Sequence, residues 1–229
     1  MGMRGSGRGG GAKTEAVTAL DLGARDALDP QMQAYFAKCM EKLGFVPNVL
    51  EAHAFAQRKL RAFVAMADEL MLGDSGLSKL EREMIAVAVS AINHCHYCLT
   101  AHGAALRQRG QDPELGERVA HNYRSADLPA RHEAMLDFAV KLTEAPDKIV
   151  EADRRALRSA GFRDRDIWDI AAVAAFYNMS NRLAAATDMR PNHQYHYLAR
   201  TADSAPAGPQ VRAINRRPAT LAAARRRRV

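Results

Sequence analysis

Aromatic residues make up only 6% of this chain, while Ala, Leu, Met, Glu and Arg, which lose little rotamer freedom in a helix, are abundant. That balance leans toward an all-α body. Long apolar runs are missing too: the longest, around residues 84–91 and 170–177, fall well short of the roughly 20 residues that cross a bilayer. No membrane span is expected. The Gly-rich, basic opening from Met1 to Gly11 lacks the apolar stretch of a secretory signal, and Met1-Gly2 with Ser6 is only a short match to a myristoylation pattern. Cysteine is scarce, with Cys95 and Cys98 three residues apart and Cys39 alone. Such usage is a poor disulfide framework and suits a redox or metal pair in a reducing compartment, so a cytoplasmic location is expected.

The net charge of +7 raises the question of nucleic acid, and its distribution answers it. Residues 204–229 hold seven Arg and no acid, and three more positive charges lie between Met1 and Lys13, which leaves the intervening body at about −3. The basicity belongs to the ends of the chain. With Pro206, Pro209 and Pro218 and few large apolar residues, 203–229 reads as a disordered Arg-rich tail, the only part suited to a polyanion. Residues 1–27 read as a flexible Gly-rich segment, and 28–202 as one all-helical domain of ordinary size.

Helix punctuation supports that division. Asp29-Pro30 opens and Gly44 closes a helix near 30–43, with Pro at the first helical position and Gly just past the end. Between Pro47 and Gly73 the apolar spacing from Leu50 to Met71 predicts one long helix or two short ones. Ser78 followed by Glu81 reads as a capping box, which starts a helix at Lys79. Further helices are expected after Asp112-Pro113, from Leu128-Pro129 to Glu144, from Val150 to Ala160, and from Asp164 to about Thr187. A faint echo at an offset of 85 residues pairs Ile85-Ala86 and Asn93 with Ile170-Ala171 and Asn178, without the cysteines in its second copy.

The chemistry concentrates between Glu83 and His102. On a helix Cys98 and His102 are one turn apart on the same face, roughly 6 Å between β-carbons, so the imidazole can exchange a proton with that sulfur. Asn93-His94 reads as a helix junction, which puts both thiols at a helix N-terminus, where thiol pKa values fall and the reactive thiolate is favoured. The spacing lets one thiol resolve a sulfenic acid formed on the other. Glu83 lies twelve residues before Cys95, about 18 Å along an unbroken helix, so any relay through it needs a bend near Asn93 or a partner subunit.

Glu83, eleven residues, Cys95-x-x-Cys98, three residues and His102 resemble the redox signature of the alkylhydroperoxidase D-like, or carboxymuconolactone decarboxylase-like, superfamily. Tyr97 and the run from Asn181-Arg182 through Thr187 to Pro191-Asn192 are similar to its peroxidase-related subgroup. The resemblance covers about 30–200. It implies a helical bundle that assembles as trimers or hexamers, and a thiol peroxidase acting on hydrogen peroxide or organic hydroperoxides without a bound cofactor. Cys98 would attack the peroxide, Cys95 would resolve, and His102 with Glu83 would relay protons. The reductant would be a thiol or lipoyl-type carrier; Tyr97 stands where the alkylhydroperoxidase D protein has His.

Other readings attach to the same residues. Cys95, Cys98 and His102, with His94 or His96, are also zinc-ligand types, which makes a metal-binding or oligomeric scaffold the alternative to a peroxidase. Covalent haem does not fit, since Leu99 follows Cys98. The ring-opening branch of the superfamily is not expected to rely on a cysteine pair. Cys39, beside Tyr35, Phe36 and Met40, reads as a buried hydrophobe, Tyr97 as packing or a proton donor, and His193 and His196 as part of a terminal helix without a role.

Overall fold

The computed structural model describes residues 16–200; the Gly-rich opening, its myristoylation pattern and the Arg-rich tail lie outside the described residues. Nine α-helices account for the described body: α1 Pro30–Leu43, α2 Asn48–His53, α3 Gln57–Leu72, α4 Lys79–Ile92, α5 His96–Gly110, α6 Leu115–Asn122, α7 Ala130–Glu144, α8 Glu151–Ser159 and α9 Asp164–Ala186. Among these residues there is no β-strand, and no helix is long and apolar enough to cross a membrane.

Local signals set most of the boundaries. The Asp29 carboxylate accepts from the Met32 amide (2.9 Å) to start α1, and Gly44 ends it in the left-handed region at φ 78°. Ser78 and Glu81 cap each other's amides at 3.1 and 2.7 Å, so α4 begins where its capping box places it. Between α2 and α3 the chain breaks, although no Gly or Pro stands there. The break is capped from a distance: the Gln57 amide donates to the Asp26 carboxylate (3.0 Å), and the Asp26 amide to the Ala54 carbonyl (3.0 Å). Segment 16–29, which contains no helix, is tied to the body again where Ala19 N–H meets the Thr187 carbonyl (2.9 Å).

Helix α4 is the axis of the molecule. Every residue from Glu81 to Ser90 is buried, because α5, α6, α7 and α9 surround it. Its apolar side chains join those of α7 and α9 in the main core, which includes Met84, Ile85, Leu136, Ile170 and Val173. A second, smaller cluster of Met32, Phe36, Leu50, Leu60 and Val64 holds α1, α2 and α3 together. Cys95, Tyr97, Cys98 and Ala101 form a third with Ala184 and Met189, so the cysteines sit where α5 meets the end of α9.

The ends of α4 carry polar anchors. Arg82, 3% exposed, donates to the carbonyls of Gly73 (2.8 Å), Leu77 (3.1 Å) and Leu70 (3.3 Å), and so closes the turn between α3 and α4. Replacing it with Met fills the space but strands those carbonyls, which costs about 2–4 kcal/mol. Thermal unfolding of Arg82→Met is expected to show Tm about 5–10 °C lower. An unchanged Tm would mean that water serves the carbonyls as well as the guanidinium does.

Candidate active site

Asn93 ends α4, His94 follows in the left-handed region (φ 51°), and Cys95 is extended as the residue that caps α5. This reversal folds α5 back along α4. Positions that an unbroken helix would hold far apart are thereby brought together, and the His102 Nδ1 lies 2.8 Å from Glu83 Oε2. The bend that a Glu83 relay requires is therefore present within one chain.

Glu83 is 5% exposed and faces two further groups, with Arg109 Nε at 3.4 Å from its Oε1 and the Tyr177 hydroxyl 3.3 Å from the shared His102 nitrogen. With a carboxylate on Nδ1, that nitrogen carries the proton and Nε2 is left as the basic atom of the ring. Tyr177 is buried, and burial and then the Glu83 charge push its phenol well above the usual range, so it remains protonated.

The two sulfurs are buried and behave as one acid. Cys95 is lowered to about 6, first by a hydrogen bond from the Cys98 thiol and then, against the opposing cost of burial, by the amides of Cys98 and Tyr97 at the start of α5. Cys98 is pushed up, first by that same bond to Cys95 and then by burial. Of the reduced pair, Cys95 is thus the more acidic sulfur. Asn181 favours the thiolate on both residues, and Ser180 favours it on Cys98.

A cavity of about 260 Å³ opens against this pair. Cys98 and His102 line it and Cys95 does not; the other walls are mostly apolar and aromatic, from Phe63, Tyr97, Phe176, Tyr177 and Tyr195. Cys39 and Asp68 also face it. Cys39 is half-buried, and its thiol is raised by burial and by the neighbouring Asp68 charge.

Tyr97 holds two elements in place, since its hydroxyl oxygen accepts the Val49 amide (2.9 Å) and so pins the start of α2 to α5. His193 and His196 belong to a short 3₁₀ turn, His193–His196, instead of a terminal α-helix. Asn192 explains the difference, since its side chain is drawn to the Val46 carbonyl (2.8 Å) and the Asn48 amide (2.6 Å). The buried Arg107 then holds the carbonyls of Tyr195 (3.1 Å) and Leu198 (3.1 Å), and Tyr195 closes the cavity. Among the described residues, no group of three or more His, Cys, Asp or Glu is arranged to hold a metal ion. The His102 nitrogen facing Glu83 is already engaged. Tyr177, Arg109 and Tyr195 carried no local pattern that marked them, and Asn181 stood only at the start of the run similar to the peroxidase-related subgroup, with no role attached.

Residues 59–145 match the model of the carboxymuconolactone decarboxylase family. An uncharacterized peroxidase-related protein from Silicibacter sp. TM1040 is 61% identical over 80% of this chain and 96% of its own, with a TM-score of 0.77. The chain belongs to the alkylhydroperoxidase D-like, carboxymuconolactone decarboxylase-like superfamily. An alkylhydroperoxidase AhpD core protein from Ralstonia eutropha JMP134, also peroxidase-related and uncharacterized, is 45% identical over 81% of this chain and 98% of its own, again with a TM-score of 0.77. Within the superfamily, the alkyl hydroperoxide reductase AhpD of Rhodococcus erythropolis is 47% identical over 45 residues, 20% of this chain. That match spans about a quarter of the relative's length (25%).

Proposed function

We propose that the protein is a thiol peroxidase that reduces hydroperoxides, organic ones in preference to hydrogen peroxide, through a Cys95–Cys98 disulfide. The observation that carries this reading is a buried pair of free thiols with Cys98 and His102 on the wall of one largely apolar cavity and Glu83 behind the His102 ring. Membership of a superfamily with AhpD-named relatives supports it.

Cys98 holds its proton at rest, so its attack needs a base, and His102 backed by Glu83 takes that proton. The Cys98 sulfur bonds to the terminal peroxide oxygen, the O–O bond breaks, and the alkoxide leaves as an alcohol with the proton from His102. Cys95, already a thiolate at neutral pH, then attacks the Cys98 sulfenic acid. The S–S bond forms as the S–O bond breaks, and hydroxide leaves to become water. A thiol or lipoyl-type carrier, supplying two electrons and two protons, restores the pair by exchange. Exposed Trp168, Met179 and Leu183 on one helix, α9, favour assembly with further copies of the chain.

Adding one equivalent of cumene hydroperoxide to the reduced protein is expected to remove two thiols rapidly, faster than hydrogen peroxide does, with recovery on adding a dithiol. Hydrogen peroxide lacks the apolar body that would fill a 260 Å³ cavity. Thiols that stay reduced with both oxidants would overturn the peroxidase reading, and a preference for hydrogen peroxide would overturn the substrate class.

A further inference from the structure

Beneath the sulfurs, α4 and α9 meet through a set of side-chain amides that the cycle above does not use. Asn93 Nδ2 lies 3.0 Å from Asn178 Oδ1 and 3.0 Å from Asn181 Oδ1, and Asn181 Nδ2 lies 3.0 Å from Ser90 Oγ. Asn181 is 1% exposed. An amide can present either its oxygen or its nitrogen, so what a buried Asn does to a neighbouring sulfur depends on which way it is turned.

Here the turn is fixed from outside. Arg182 can only donate, and its NH1 is 2.8 Å from Asn178 Oδ1, while the Ala174 carbonyl can only accept and takes Asn178 Nδ2 at 3.0 Å. Asn178 therefore shows its oxygen to Asn93. Asn93 must answer with its nitrogen, which also draws the oxygen of Asn181. The nitrogen of Asn181 is then left facing Ser90 and the sulfurs. It has two hydrogens, of which Ser90 takes one; the Ser90 carbonyl in turn accepts the Cys95 amide (3.0 Å), so the other lies beside the sulfurs, where Asn181 lowers both thiols.

We infer that Asn181 is a catalytic residue of the thiol pair: its amide N–H donates to the sulfurs and holds the thiolate, in an orientation that Arg182, Asn178 and Asn93 fix by a one-directional hydrogen-bond chain. The inference rests on the reading of Cys95 and Cys98 as a redox pair. Arg182, Asn178 and Asn93 are positioning residues. The arrangement also gives meaning to the 85-residue echo, since Asn93 and Asn178, its corresponding positions, are the two amides in contact.

The test is the ultraviolet thiolate titration of the reduced full-length protein. The tyrosines around the site, Tyr97, Tyr177 and Tyr195, are all raised by burial and stay clear of its lower range. Asn181→Ala is expected to raise the Cys95 midpoint by about one to two pH units, the shift set by one hydrogen bond to a charged group. Asn181→Asp raises it further by adding like charge. Asn93→Leu removes the donor that orients Asn181 without adding charge, and is expected to raise the midpoint with Asn181 still in place. Should the Asn181 variants fail to fold, the half-buried Asn93 decides the matter. An unmoved midpoint in folded Asn181→Ala, or in Asn93→Leu, overturns the inference. Because the titration needs no peroxide, a moved midpoint in a protein that never consumes peroxide would sink only the peroxidase reading.

Discussion

Cys98→Ser is expected to abolish hydroperoxide turnover, a loss on the order of 10³-fold or more, because no other group on the cavity wall replaces a sulfur nucleophile. Cys39 shares that cavity, and its thiol is also raised, but it has no imidazole one turn away to take its proton as His102 stands to Cys98. Cys95→Ser behaves differently. It still carries Cys98 and is expected to consume one equivalent of peroxide and stop, leaving a sulfenic acid that dimedone traps. Failure of Cys95→Ser to consume even that first equivalent would contradict the division of labour between the sulfurs. pH separates them again. Cys95 is an acid whose pKa is lowered to about 6, so its charged form is present above that value and is lost as pH falls through it. The reduced protein should therefore lose Cys95 thiolate, about tenfold, between neutrality and pH 5, read as a fall in ultraviolet thiolate absorbance.

The all-α body was legible because its signals are local. Asp29-Pro30, Gly44, Ser78 with Glu81, and the Asn93-His94 junction each act within one turn of the chain, and the structure places helix ends at all of them. The division of 48–72 into α2 and α3 was not settled in the same way. The cap on α3 comes from Asp26, and a partner so far along the chain leaves no mark on the local apolar spacing.

The same distinction governs the site. Glu83, Cys95, Cys98 and His102 stand close in sequence, and one reversal brings them together. Tyr177, Asn181 and Tyr195 reach the cavity or the sulfurs from α9 and the segment beyond it, so only the packing of α9 on α4 and α5 reveals them. The split of charge between the sulfurs was equally hidden. A helix N-terminus favours a thiolate on either residue, but a single shared proton must choose. Cys95 stands at the very start of α5, nearest its open amides, so its thiol is the one lowered. The sulfur facing the cavity is the other one, which makes an external base necessary.

That necessity sets the expectation for Glu83. Glu83→Gln keeps the shape and a hydrogen bond to His102 at the 2.8 Å contact but removes the charge that makes the imidazole a competent base. A loss in kcat/KM on the order of 10²-fold is expected, with KM little changed, since general-base contributions run from about 10² to 10⁴. The loss should shrink as pH rises, because solvent hydroxide then removes the Cys98 proton without help. His102→Ala is expected to lose a similar amount, and the double variant no more than the larger single loss, because a carboxylate can act on the thiol only through the ring it orients. Losses that multiply in the double variant would detach Glu83 from the proton path. Its contacts to His102 and Arg109 would then serve only to hold α5 against α4.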